Sequence, residues 1–178
     1  MRPDVTVLAT PDLSAADLEA CRRLMDAAFT DFTADDWAHA LGGWHAVVYQ
    51  HGEVIAHGSV VARRIRIGDA DHHAGYVEAV AVSPALQRHG LGTLVMGALH
   101  EVIRGHFEVG VLSTGAHGFY ERLGWQRWRG PTFVRQADGE LVRSLEEDAG
   151  VMVLPPAAGG PLDLGAPIAC DVRAGDSW

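Results

Sequence analysis

The chain has 178 residues, of which 48% are hydrophobic, and a formal net charge of −9 at neutral pH. That length fits one domain spanning residues 1–178, and the acidic balance disfavours nonspecific nucleic-acid binding and favours a cationic partner instead. No apolar run is long enough to span a bilayer and the segment from Met1 to Asp4 lacks a signal-peptide core, so a cytoplasmic protein without membrane attachment is expected. Cys21 and Cys170 lie far apart with no C-x-x-C partner and read as packing residues rather than a disulfide or metal knuckle.

Val5 to Leu8 reads as a short strand. Ser14 then stands where an N-cap precedes a helix over Ala15 to Ala28, with Leu18, Cys21, Leu24, Met25 and Ala28 as its apolar stripe. Thr33 and Asp36 form a capping-box pattern for a short helix ending at Gly42-Gly43, a structural use of Asp36 that competes with any role in a site. From Trp44 the period becomes strand-like. Val47 to Tyr49, a turn at His51-Gly52, a strand from Val54 to about Ile67, a turn at Gly68-Asp69 and a strand from Ala74 to Val82 make an antiparallel meander. His51, His57, His72 and His73 lack a metal-ligand pattern and read as surface or sheet residues, with His72-His73 in the turn; no metal is expected.

The strand Tyr76-Val77-Glu78-Ala79-Val80-Ala81-Val82 delivers the turn Gln87-Arg88-His89-Gly90-Leu91-Gly92, and an apolar helix follows through Leu94, Val95, Ala98, Leu99, Val102 and Ile103, with Gly105 as its stop signal. A glycine-rich turn before a helix N-terminus suits a pyrophosphate. The spacing is not G-x-G-x-x-G, which disfavours a dinucleotide fold. A Walker A loop is excluded because the chain contains no lysine. On the motif alone, a plain surface turn that starts a helix stays equally open.

Further on, Val109 to Ser113 reads as a buried strand, and Ala116 to Leu123 as a short helix ended by Gly124. Asp138-Gly139 reads as a hairpin turn, Val151 to Leu154 as a strand, Pro155 to Pro161 as a loop, and Ile168 to Asp171 as a last strand. The pattern is mixed α/β, of the α+β kind.

The strand-turn-helix unit, the strand ending at Ser113 and the segment Gly118-Phe119-Tyr120-Glu121-Arg122-Leu123-Gly124-Trp125 resemble the GNAT acyl-CoA-dependent N-acetyltransferases, whose turn follows Q/R-x-x-G-x-G/A. The resemblance narrows at Thr30-Asp31-Phe32, Ala40-Leu41-Gly42-Gly43-Trp44-His45, Gly75-Tyr76-Val77-Glu78 and the ending from Cys170 to Trp178, all similar to the aminoglycoside 2'-N-acetyltransferases. It implies a GNAT acyl-CoA N-acyltransferase fold: a mixed, mostly antiparallel sheet with splayed central parallel strands, ending near Val82 and Ser113, and flanking helices. It also implies acetyl-CoA as co-substrate, an aminoglycoside as acceptor and a homodimer.

Residue roles follow from the same resemblance. Glu78 is expected as the catalytic base, acting through water, and Tyr120 as the acid near the sulfur, with the Trp178 carboxylate beside them. Val80, Ala81, Val82, Gln87, Arg88, His89, Gly90, Leu91 and Gly92 would bind the coenzyme. Asp31, Asp36, Glu78, Ala79, Ser113, Glu147, Asp176 and Trp178 would bind the polycationic sugar, with Glu147 preferred over its neighbours Glu146 and Asp148. From the residues alone, Glu78 reads equally as an outward-facing glutamate, Tyr120 as a core aromatic and Ser113 as a strand end satisfying backbone groups. Trp125 and Trp128 read as packing. Acetylation of a cell-envelope amino sugar or polyamine, or binding without turnover, stay as alternatives.

Overall fold

A computed structural model of the protein describes residues 4–156 and 160–178. The predicted loop at 155–161 therefore lies partly outside the described residues. The chain divides into two compact units, residues 1–61 with 77–102 and residues 62–76 with 103–178.

The first unit opens with β1 (Val5–Ala9) and α1 (Ala15–Ala28). Ser14 caps α1 as its sequence demands: its hydroxyl accepts from the Asp17 N–H at 3.1 Å and the Asp17 carboxylate accepts from the Ser14 N–H, closing a capping box. Such a cap contributes about 1 kcal/mol. Cys21, Leu24 and Met25 recur at i, i+3 and i+4 and face inward, Cys21 against Leu13 and Val47, Leu24 and Met25 against Ala81.

The second helix, α2 (Ala34–His39), is capped in the same way by Thr33 and Asp36. It stops at His39, three residues before the predicted glycine pair, because Ala40 donates to Trp37 in a tight last turn. Strands β2 (Trp44–Gln50), β3 (Glu53–Ile67) and β4 (Ala70–Val82) follow. β1 pairs antiparallel with β2, β2 antiparallel with β3, and β4 neighbours β3.

Helix α3 (Leu91–His106) packs Val95 and Leu99 toward β3 where Gly58 lies; a Cβ on Gly58 would come within 2.8 Å of Val95. α3 does not stop at Gly105. An exposed glycine inside a helix weakens it without breaking it, and the ladder runs on until Phe107 donates to Ile103 at 2.9 Å.

In the second unit the strands are β5 (Val109–Ser113), β6 (Gln126–Arg127), β7 (Thr132–Arg135), β8 (Leu141–Arg143), β9 (Val151–Leu154) and β10 (Ile168–Asp171), with α4 (His117–Glu121) after β5. With the ends of β3 and β4 they run in the order β6-β9-β5-β4-β3-β10-β7-β8. Two neighbour pairs, β4–β5 and β10–β7, are parallel, so the sheet is mixed but mostly antiparallel. The β4–β5 pairing spans three rungs, from Ala74 opposite Val109 to Tyr76 opposite Val111. Beyond that last rung β4 runs to Val82 and β5 to Ser113, which fits strands expected to part.

Three sequence expectations need correction here. His72 and His73 belong to β4, not to a turn: β4 starts at Ala70, and the His73 N–H is held by the Glu108 carboxylate at 2.7 Å. α4 is shorter than predicted, ending at Glu121, with Gly124 at φ +91 turning the chain. β6, β7 and β8 were not anticipated, being too short for a period to show. The hairpin at Asp138-Gly139 joins β7 to β8 as read, with Gly139 at φ +91. Trp125 and Trp128 are buried, and both cysteines are free and buried.

Candidate active site

In the first unit, Ala79 takes φ +50 near the C-terminal end of β4. A left-handed non-glycine residue costs about 1–2 kcal/mol, so neighbouring bonds must hold it. The Ala79 carbonyl accepts from the His57 ring at 2.9 Å, and the Glu78 carbonyl accepts from the Ser59 hydroxyl at 3.3 Å. Glu78, Ala79, Val80 and Val82 are half-buried and Ala81 is buried.

The turn after β4 has Arg88 at φ 64 and Gly90 at φ 84. Nothing lies within 4 Å of where a Gly90 Cβ would sit, so the glycine is needed for conformation and not for space. Gln87, Arg88, His89 and Gly90 are exposed, whereas Leu91 is buried as α3 begins and Gly92 is half-buried. The first N–H groups of that 16-residue helix have no intrahelical partners and face an exposed turn, which fits a pyrophosphate. Asp31 is exposed in a bend. The Asp36 carboxylate accepts from Thr33 N–H at 2.7 Å in the α2 cap, the structural use its spacing allowed.

The second unit brings Ser113, Glu147, Asp176 and Trp178 together around a cleft of about 390 Å³, with Glu146, His117 and Gly150 on its wall. They arrive from three segments. Ser113 ends β5, Glu147 closes the single turn Leu145–Glu147, and Asp176 and Trp178 lie past β10. Ser113 donates to the Glu147 carboxylate at 2.7 Å, a bond to an acid side chain rather than to backbone.

Several bonds anchor the tail. The Asp176 carboxylate accepts from the Trp178 N–H at 3.0 Å, Arg173 donates to the Asp176 carbonyl at 2.8 Å, and the Trp178 indole donates to Ser144 at 3.1 Å. Asp148, the third acid of its run, is taken by Arg143 at 2.7 Å and by the Thr132 N–H at 3.0 Å. Hydrogen bonds from Arg143 hold its carboxyl well below the usual range.

Burial pushes the Glu147 carboxyl above its ordinary value, and the like charges of Asp176 and Glu146 add to that; the Ser113 hydrogen bond opposes it. A cation entering the cleft would favour the ionised carboxylate and so oppose both causes. Tyr120 lies elsewhere in this unit, buried, edge-on to Phe119 and Trp125. Burial raises its phenol to about 12, so it stays protonated and able to donate.

Sequence reasoning passed over His117, whose ring Nε2 donates to the Ala149 carbonyl at 2.6 Å on the cleft wall, gave His45 no role, and read His57 as a surface or sheet residue, whereas His45 and His57 are fully buried. The signal for His57 was present. His57 and Ser59 interrupt one face of an otherwise apolar, fully buried stretch of β3, where polar side chains need partners. Among the described residues no helix is long and apolar enough to cross a membrane, and no group of three or more metal-binding side chains is present.

Residues 8–125 match the acetyltransferase (GNAT) family. The chain is 46% identical over 174 residues to an aminoglycoside 2'-N-acetyltransferase of Mycolicibacterium fortuitum, covering 95% of this chain and 89% of that protein. A GNAT family acetyltransferase from Brucella melitensis, solved in complex with acetyl-CoA, shares the fold at TM-score 0.60 and 20% identity over 96% of both chains. A GCN5-related N-acetyltransferase from Kribbella flavida matches 72% of this chain at TM-score 0.60 and 20% identity, and the chain spans only 34% of that larger protein. The chain thus belongs to the GNAT acetyltransferase family and, within it, to the group of the aminoglycoside 2'-N-acetyltransferases.

Proposed function

We propose that the protein transfers acetyl from acetyl-CoA to the 2'-amino group of aminoglycosides, conferring resistance, and that residues 1–178 act as one domain, in the cytoplasm, as a homodimer and without a metal. The observation that carries this reading is the cleft that gathers Glu147, Glu146 and Asp176 around Ser113 and Trp178. A concentration of carboxylates, Glu146 and Asp176 exposed and Glu147 half-buried with its pKa raised, suits a polycation. The identity with the M. fortuitum enzyme supports it.

Glu78 takes the proton from the sugar ammonium, directly or through water, because only the free amine has a lone pair to attack with. Acetyl-CoA supplies the acetyl group already activated as a thioester. The turn from Gln87 to Gly92, with the backbone of Val80 to Val82, holds and orients it. The new bond is amine nitrogen to acetyl carbon, the broken bond is carbon to sulfur, and the electron pair leaves on sulfur.

Tyr120 faces that sulfur as a hydrogen-bond donor. Its phenol at about 12 exceeds an ordinary thiol by roughly three units, so donation without full transfer is the favourable act and the thiolate collects its proton from solvent. Glu147, Asp176, Trp178, Asp31 and Asp36 receive the other ammonium groups, and Ser113 and the Ala79 backbone the sugar hydroxyls.

Purified protein, acetyl-CoA and an aminoglycoside bearing a 2' amine test the reading, followed by free-thiol release and product mass. One acetyl per sugar is expected, and a 2'-hydroxyl analogue should react far less. Binding of both substrates without product would overturn it in favour of sequestration; equal rates with simple polyamines would favour the polyamine reading.

A further inference from the structure

A chain of buried hydrogen bonds crosses the first unit. Thr10 Oγ lies 2.8 Å from His45 Nε2, His45 Nδ1 lies 2.9 Å from His57 Nε2, and His57 Nδ1 lies 2.9 Å from the Ala79 carbonyl oxygen. Both imidazoles are fully buried.

Its direction follows from its last member. A carbonyl only accepts, so His57 Nδ1 carries the hydrogen; burial keeps the ring neutral, so His57 Nε2 accepts from His45 Nδ1–H. His45 Nε2 then accepts from the Thr10 hydroxyl at 2.8 Å, in preference to the Gly43 carbonyl, which lies 3.2 Å from that hydroxyl and already accepts the Thr10 N–H; the Thr10 oxygen in turn accepts from the Gly42 N–H at 2.9 Å. Both rings are neutral Nδ1–H tautomers with every ring nitrogen satisfied. Desolvation agrees, pushing both imidazoles down to about 4.

The chain ends on an amide carbonyl, which neither gives nor takes a proton at neutral pH, so it relays no charge to Glu78. Its effect is geometric. Successive carbonyls of a regular strand point opposite ways, yet His57 and Ser59, two residues apart on one face of β3, take the carbonyls of Ala79 and Glu78. Only the left-handed Ala79 allows this.

We propose that His57, oriented by His45 and Thr10, is a positioning residue that holds the left-handed Ala79 carbonyl and so fixes where β4 carries the Glu78 carboxylate. The proposal rests on the acetyl-transfer reading for its kinetic consequence but not for its geometry. A histidine that merely filled the core could be replaced by any side chain of similar bulk; one that positions must keep its Nδ1 donor.

Three forms of the full chain decide it: wild type, His57→Leu, which keeps bulk and loses the donor, and His57→Asn, whose amide N–H stands at the Nδ1 position. His57→Leu should lower kcat about tenfold or more, with the coenzyme A dissociation constant by calorimetry within about twofold. His57→Asn should recover most of that loss. A kcat for His57→Leu within about twofold of wild type, or no recovery in His57→Asn, would overturn positioning.

Nitrogen-15 imidazole spectra of the wild type at neutral pH read the geometry without turnover. Nδ1–H tautomers at His45 and His57 are expected, and an Nε2–H tautomer at His57 overturns the proposal even if His57→Leu fails to fold. A wild type that shows these tautomers but transfers no acetyl would sink the functional reading and leave the geometry standing.

Discussion

The hydrogen-bonded end of β4 and the acidic cleft solve opposite problems with polar groups. Behind Ala79 the two imidazoles are fully buried, neutral and matched at every ring nitrogen, His45 and His57 standing at 0% exposure. In the cleft they are ionised and partly open to water, and one of them, Glu147, is worse off for its surroundings. Burial is tolerable for polar groups that are neutral and bonded, whereas a charge pays in desolvation until a counter-charge arrives. The first arrangement satisfies itself; the second leaves a carboxylate whose charge only a cation would offset.

The contrast breaks most violently at Trp178, whose buried side chain ties the tail that carries Asp176. Trp178→Ala should cost about 3–5 kcal/mol of stability, a fall in Tm of roughly 10 °C for a chain of this size. Aminoglycoside binding should weaken with it while coenzyme A binding persists. Calorimetry of each ligand at a temperature where the variant is folded checks this, and an equal loss for both would mean that cleft and turn are not separable.

Acid sharpens the contrast because the two regions answer it with opposite sign. The imidazoles of His45 and His57 sit at about 4 against 6.5 for the free group. The unfolded chain therefore binds protons first: their stability is complete above the unfolded value and is lost as pH falls toward the folded one, by about 3 kcal/mol per ring. Glu147, raised in the fold, does the reverse, destabilising while ionised and relieved as pH falls through its raised value. Urea unfolding from pH 7 to 4 should show the histidine loss dominating. His57→Asn should roughly halve the slope, and an unchanged slope would place the titration elsewhere.

What could be read from the sequence follows the same division. The turn at Gln87 to Gly92 was legible as a turn because one contiguous stretch makes it, although spacing and glycine placement alone left a plain surface turn as open as a phosphate site. α1, β5, β9 and β10 were legible because their apolar pattern is local. Glu147, Asp176 and Ser113 could be named only through resemblance, since nothing local says that three separate segments of the chain share a wall. The histidine chain was missed altogether. Its bonds link residues 35, 12 and 22 apart, and single histidines in strands look like ordinary sheet residues until their partners are known.

The smallest expected effect on stability is the most discriminating. Glu147→Gln keeps an acceptor for the Ser113 hydroxyl and removes a charge that burial and two neighbouring acids disfavour, so stability should rise by less than about 1 kcal/mol. Aminoglycoside affinity should nonetheless fall, about fivefold to tenfold if one ammonium contact in water-like surroundings is lost. The pH response separates this from a general loosening of the cleft. In the wild type a proton competes with the ammonium for Glu147, so affinity should weaken as pH drops through the raised carboxyl value; in the variant that step should vanish. A Glu147→Gln protein that is less stable would mean that the charged Ser113–Glu147 bond outweighs the desolvation, and the cleft would then be held together by the charge it was thought only to endure.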